Sequence, residues 1–399
     1  MKNLKKITAF ILCVMLVFAL GACAPKGATA DKEWGFRANG KEYAVGTYLL
    51  PLADAYESVY GYLGQVNKDF DPSKSILDLE ASFDESGKVY SAREWILKQA
   101  SDYIKYMVAV DSLMQEYDVK LQEGRDSAVY EQARNDWFLG KDYQNVIDGY
   151  AEAYPVKDKY EPLGISVESY CDAAYMLDVK YDAIFARLYS KGGEREVTEA
   201  ELNSYFEKNY VDYSYFIVRL YEASYDEVTG ELVNTPYSDA QKKEVLDKLN
   251  MYPIMAKEGK SLSDIKKKHI KDFELQSSDF MLERTERLED VSVSASSEIA
   301  DILNEIGESQ AKVIVTGQGD TPVALVVYKS PIKDETKKYL SDDINYRAIV
   351  ADYKGQEFFE FLASYADKVE VEINWDVLNA FSLEFIEKNF KSYIKRFEF

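Results

Sequence analysis

The chain of 399 residues is short of the side chains on which most enzyme chemistry rests. It has one histidine, His269, and three cysteines, Cys13, Cys23 and Cys171. A single histidine nearly excludes His-built zinc sites and weakens any Ser-His-Asp arrangement. Cys13 and Cys23 lie in or at the end of an apolar leader. The folded part therefore keeps only Cys171 and can form no internal disulfide. Basic residues are also scarce: 48 Lys and Arg stand against 70 Asp and Glu, a formal net charge of −22. A chain this acidic repels nucleic acid and anionic lipid, so neither is an expected partner. There is no glycine-rich phosphate loop, no repeat of fixed period and no low-complexity segment. After the leader no apolar run reaches the ~20 residues that cross a bilayer. Asp69, Asp71, Ser73 and Glu80 stand at positions 1, 3, 5 and 12 of a calcium-loop template, but Lys74 occupies the place that needs glycine and Pro72 interrupts it. An acidic turn accounts for them. No metal or cofactor is expected.

What is present begins at the amino terminus. Lys2, Lys5 and Lys6 precede an apolar stretch from Ile7 to Leu20, which closes on Leu20-Gly21-Ala22-Cys23. A basic start, a short apolar stretch and small residues before a cut describe a secretory signal. Ordinary secretion needs no cysteine at the cut. A cysteine directly after the small pair is the layout of a lipoprotein signal. Residues 1–22 are read as the signal peptide, Cys23 as the lipidated residue and 23–32 as a tether. The location implied is extracytoplasmic, with a lipid anchor in the cell membrane.

The remaining length suits two or three domains, and 47% hydrophobic residues is ample for cores. Glu33–Ala38 and Lys41–Val45 read as strands joined by Asn39-Gly40, a strong hairpin signal. A helix follows from about Thr47 to Val66, then loop-like residues to 89. Ser91-Ala92-Arg93-Glu94 is a capping box, opening a helix with Ile96, Ala100, Tyr103, Met107, Val110 and Met114 on one face. Further helices are expected over 127–154 and 166–189, ending at Gly192-Gly193. Cys171 shares a helical face with Val167, Tyr170, Ala174 and Leu177 and is read as a buried thiol. Thr198–Glu201 is a second capping box. The period then changes to two: 213–221, 311–316 and 322–329 read as strands. Helices are expected over 238–258, 261–268, 296–306, 340–366 and 376–395, with a short strand at 369–373. The charged run 283–290 reads as a solvated segment. Of 32 tyrosines, 25 precede residue 240. Helical spacing puts their rings in the core with hydroxyls at the rim, and a wet binding surface is the other use for them.

Three segments, in this order, resemble the extracytoplasmic foldases of the PrsA and SurA type. Ala38-Asn39-Gly40-Lys41-Glu42-Tyr43 is similar to the hairpin that opens their chaperone domains. Leu163-Gly164-Ile165-Ser166 with a long helix, then Val197-Thr198-Glu199-Ala200-Glu201-Leu202 and Tyr205-Phe206, resembles their link into an isomerase domain. Asp301 to Lys329 is similar to a parvulin ending. The resemblance implies an α+β fold: a mostly helical chaperone domain, 33–208 completed by 334–399, with a small parvulin-like α+β domain inserted at 209–333. It also implies histidines on the first and last strands of that domain. Phe216 stands in the first place, and Val323–Tyr328 carries none. Ser277–Met281 replaces the family's glycine-rich loop. The implied peptide groove would be lined by Phe216, Ser278, Phe280 and Leu325.

The function expected is that of a membrane-anchored extracytoplasmic chaperone, or foldase, for unfolded or nascent secreted polypeptides, with prolyl isomerase activity lost and no catalytic residue. One alternative is the substrate-binding lipoprotein of a transporter, which would show two lobes of alternating strand and helix. Another is an isomerase that works through Tyr215 or Asp279.

Overall fold

The computed structural model describes residues 33–68, 70–149, 152–226, 228–275, 281–317 and 319–396. Cys23, the signal and the tether lie outside them, as do Asp69, Ser278, Asp279 and Phe280. The fold is α+β. Among the described residues every strand pairing is antiparallel, so the parallel sheets of a two-lobed solute receptor are not the architecture found. The chain forms two compact units. Among the described residues one holds 33–196 with 356–396, the other 197–355.

In the first unit, β1 (Trp34–Ala38) and β2 (Lys41–Ala44) make the opening hairpin. Asn39 and Gly40 both take positive φ, 51° and 78°, which a two-residue turn matched to strand twist requires. On its other edge β1 pairs with Glu372–Ile373, so the sheet joins residues from both ends of the unit. Phe36 stacks on Tyr43 with ring centres 4.4 Å apart. The helix Val45–Val66 follows and buries Leu49, Leu52, Tyr56, Val59 and Leu63. β3 (Glu80–Ser82) and β4 (Val89–Ser91) form a small hairpin in the stretch read as loop. The helix Ala92–Glu116 starts on the expected capping box, with Ser91 and Glu94 satisfying each other's backbone N–H. The helix Leu383–Ile394 sends Glu387 into the core, where it accepts from Tyr56 Oη at 3.0 Å and from the Ile76 N–H at 2.9 Å.

The expected helix over 127–154 is divided. Arg125–Leu139 stops at Gly140, whose φ is 98° and whose missing Cβ would lie 2.5 Å from the Tyr154 carbonyl oxygen. Only glycine fits there. The expected helix over 166–189 breaks at Tyr175 into Val167–Ala174 and Met176–Tyr189. Cys171 is buried, and burial pushes its thiol up to about 11.

In the second unit β5 (Tyr210–Arg219) is central to a four-stranded sheet with β8 (Leu282–Arg287), β9 (Gln310–Thr316) and β10 (Val323–Ser330), in the order β8-β5-β10-β9. Side chains alternate across it. Val211, Tyr213 and Tyr215 pack with Ile299, Ile302 and Leu303 of the helix Ser297–Glu305. Phe216, Ala324 and Val326 pack on the opposite side with Leu249, Tyr252, Ala256 and Ile265. Between β5 and the helix Asp239–Leu249, β6 (Tyr221–Tyr225) and β7 (Leu232–Pro236) make a separate hairpin. The charged run, expected to be solvated, contains β8. Backbone pairing to β5 needs no apolar side chains, and charges along an edge discourage further strand addition. Its Glu286 accepts from Tyr213 Oη at 2.6 Å, and Arg287 pairs with Asp352.

The second unit also starts earlier and ends later than the 209–333 expected from sequence. Phe206 of the helix Glu199–Asn209 stacks on Tyr339 of the helix Ile332–Leu340 at 5.1 Å. Tyr205 and Tyr210 both donate to Asp352, at 2.8 and 3.1 Å. The flanking helices are thus part of the sheet's own packing.

Candidate functional site

The sequence pointed to a groove built on the sheet of the second unit. Of its residues the structure describes Phe216 and Leu325, and it sets these two on opposite faces of the sheet. In the β5–β10 register Phe216 faces Val326 and Ile217 faces Leu325. One step along an antiparallel pair reverses the face, so Phe216 and Leu325 enter different cores. They are 2% and 4% exposed. Neither lines an open surface, and Tyr215 is buried beside Leu325. Ser278 and Phe280 lie outside the described residues.

What Phe216 does meet is the single histidine. His269 and Ile265 are one turn apart on the helix Leu262–Asp272 and are its two buried residues. That spacing was the sequence signal for an inward histidine, and it went unread. The His269 ring meets Phe216 edge-on at 4.3 Å and Phe273 at 4.6 Å. Its Nδ1 lies 3.0 Å from Tyr252 Oη. Burial lowers its pKa to about 4 against the opposing pull of Asp272, so the ring is neutral at physiological pH. A neutral imidazole sealed among aromatic rings is a core group. It is far from the solvent a general acid or base must reach.

An open groove is found in the first unit. The helices Val45–Val66 and Ala92–Glu116 pack side by side, and a groove of about 630 Å³ runs along them. The first helix supplies Leu50, Asp54 and Ser58 at intervals of four, with Pro51 and Ala55 between. The second supplies Trp95, Gln99, Tyr103 and Tyr106, with Lys98 and Asp102 at the edge. Leu50, Pro51, Ala55 and Trp95 are buried and form the floor. Asp54, Ser58, Lys98 and Asp102 are exposed and form the rim. Periodicity showed the core-facing stripe of the second helix, of which Tyr103 also lines the groove. The groove stripe lies next to it, and its mix of Trp and Tyr with Asp was the sign available.

Several groove groups are held in place. Trp95 stacks on Phe83 at 5.6 Å and meets Tyr90 at 5.1 Å. Tyr103 Oη donates to the Ala173 carbonyl at 2.5 Å, and its pKa is raised to about 12 by burial and by Asp178 and Asp54. Asp54 accepts from Tyr160 Oη at 2.5 Å and lies 3.4 Å from Lys159. Lys98 Nζ is 2.7 Å from Asp102 and 5.1 Å from the centre of the Trp95 ring. Gln99 Oε1 is buried with no hydrogen-bond donor. Chemically this surface can bury an apolar side chain, receive a cation and accept hydrogen bonds. It holds no nucleophile paired with a base.

Among the described residues no group of three or more His, Cys, Asp or Glu side chains could hold a metal ion. Asp71, from the calcium template, instead accepts from the N–H and the hydroxyl of Ser73, at 3.0 and 2.6 Å. No described helix is long and apolar enough to cross a membrane.

No protein-family model matches the chain, and no curated protein does. Among solved structures it is similar to the crystal structure of foldase protein PrsA from Streptococcus pneumoniae, with 12% identity and a TM-score of 0.21. That match covers 80% of this chain and 94% of the other. A likeness so loose carries no argument about fold or function.

Proposed function

We propose that the chain is an extracytoplasmic chaperone, lipid-anchored through Cys23, that holds unfolded or nascent secreted polypeptides. The observation that carries this reading is the open groove of the first unit, with an apolar floor and a polar rim. Such a surface buries isolated apolar side chains of an extended chain without demanding one sequence. Binding at any one place is weak and gains strength from repeated contacts along the client. The acidic surface keeps the complex soluble.

The second unit is proposed to be a parvulin-like domain that has lost prolyl isomerisation. Its central strand carries Phe216 where the resemblance implies a histidine, and His269 is sealed in the core. A prolyl bond crosses a barrier of ~18–20 kcal/mol, and lowering it takes groups that touch the twisted bond.

The test mixes the purified full chain with an unfolded secreted protein at substoichiometric and equal ratios and follows light scattering. Suppressed aggregation supports the chaperone reading, and Ser58→Trp, which fills the groove from its exposed rim, should weaken it. No suppression at any ratio removes the reading. The same preparation should give no isomerisation above background on a prolyl peptide. A concentration-dependent rate enhancement would refute the loss of activity. Cys23→Ser should abolish incorporation of labelled fatty acid in cells.

A further inference from the structure

We infer that the groove selects client segments in which an apolar or aromatic side chain sits next to a lysine or arginine, and that Lys98 occupies the cation's place while the groove is empty. This rests on the chaperone reading and adds the class of segment recognised.

The argument starts from what Lys98 touches. Its ammonium lies over the Trp95 ring at 5.1 Å and against Asp102 at 2.7 Å. An aromatic face and a carboxylate together form a cation receptor. Both Lys98 and Asp102 are about half exposed, with side-chain exposures of 48% and 57%. A long exposed lysine held by one surface pair is displaced at small cost. The receptor is continuous with the apolar floor at Leu50 and Ala55. Asp54 stands on the opposite rim, also exposed. Lys98 is the groove lining's one cation, against two carboxylates, and Lys159, which lies 3.4 Å from Asp54, is shared with Glu57 and only 14% exposed. An apolar floor with carboxylates on both rims complements a segment that brings an apolar anchor and a positive charge. An acidic segment would meet Asp54 and Asp102 with like charge.

The test uses the full chain and three fluorescent twelve-residue peptides of one Leu- and Phe-containing frame, carrying two Arg, two Gln or two Glu. Affinity is read by anisotropy at low and high salt. The Arg peptide should bind roughly tenfold tighter than the Glu peptide, and the gap should shrink as salt screens it. Lys98→Ala should tighten the Arg peptide roughly threefold by vacating the receptor, and Asp102→Asn should weaken it by a similar factor. Both positions are on the surface, so thermal melting checks that folding is unchanged. Equal binding of the Arg and Glu peptides, or tighter binding unaltered by Lys98→Ala, overturns the selectivity while leaving aggregation suppression standing. If no peptide binds and no suppression is seen, the selectivity falls together with the chaperone reading.

Discussion

The two units put aromatic side chains to opposite uses. In the second, Phe216, Tyr252, His269 and Phe273 close on one another, and Phe216, Tyr252 and His269 are at most 3% exposed. In the first, Trp95, Tyr103 and Tyr106 back an open groove, with the Tyr103 hydroxyl tied to the Ala173 carbonyl. A surface that must take varied polypeptides needs rigid apolar walls that stay solvated, and a reacting centre needs polar groups that face solvent. The first unit has an open groove with a polar rim over an apolar floor. The described part of the second unit has its titratable aromatic cluster turned inward, which suits a structural module.

The comparison can be broken most forcefully at Phe216. Phe216→Ala opens a cavity in a fully packed cluster and should cost about 3–5 kcal/mol. Amide exchange should show β5 and β10 losing protection while the helix Ala92–Glu116 keeps its own. Equal loss in both would mean that the units do not unfold separately.

The next largest effect is a pH dependence confined to the second unit. His269 has a folded pKa of about 4 against 6.5 when unfolded. Below pH 6.5 the unfolded chain binds a proton that the folded chain refuses, so stability falls as pH drops from about 6.5 to about 4 and then levels. The full shift corresponds to about 3 kcal/mol. Denaturant titrations at pH 7 and pH 4 should show His269→Phe losing less stability than the parent between those values. An unchanged loss would mean that other groups carry it.

Smaller effects sharpen the picture of the first unit. Glu387→Ala leaves the Ile76 N–H and Tyr56 hydroxyl without their acceptor in the core. A buried donor so orphaned costs about 1–3 kcal/mol, which a urea midpoint would register. Smallest is Ser91→Ala, which removes the cap of the helix Ala92–Glu116 and should cost about 1 kcal/mol. Because that helix also walls the groove, a drop in peptide affinity beyond the loss of stability would show that its first turn positions Trp95.

Local signals were legible wherever the backbone itself is constrained. The Asn39-Gly40 turn and the capping boxes at Ser91 and Thr198 formed as read, because each depends on a few adjacent residues. Some tyrosines of the first unit lie with rings inward and hydroxyls on carboxylates, as Tyr43 on Asp111 and Tyr56 on Glu387 show, while Tyr62 and Tyr154 are exposed. The errors arose where a distant residue decides. Gly140 ends its helix because the Tyr154 carbonyl approaches it. β8 forms from a charged run because β5 offers a free edge. Phe216 and Leu325 seemed companions on neighbouring strands, and a one-residue offset in register sent them to opposite faces.

By itself the sequence determined an acidic α+β chain with an opening hairpin, strongly capped helices and too few histidines and cysteines for most metal or triad chemistry. Those properties follow from composition and from interactions spanning a handful of residues. Only the tertiary structure decided that His269 is sealed against Phe216, that the flanking helices pack with the sheet, and that an open groove lies along two helices separated by a loop and a small hairpin. Side-chain burial, register and concavity depend on which distant segments meet, and no local pattern encodes that.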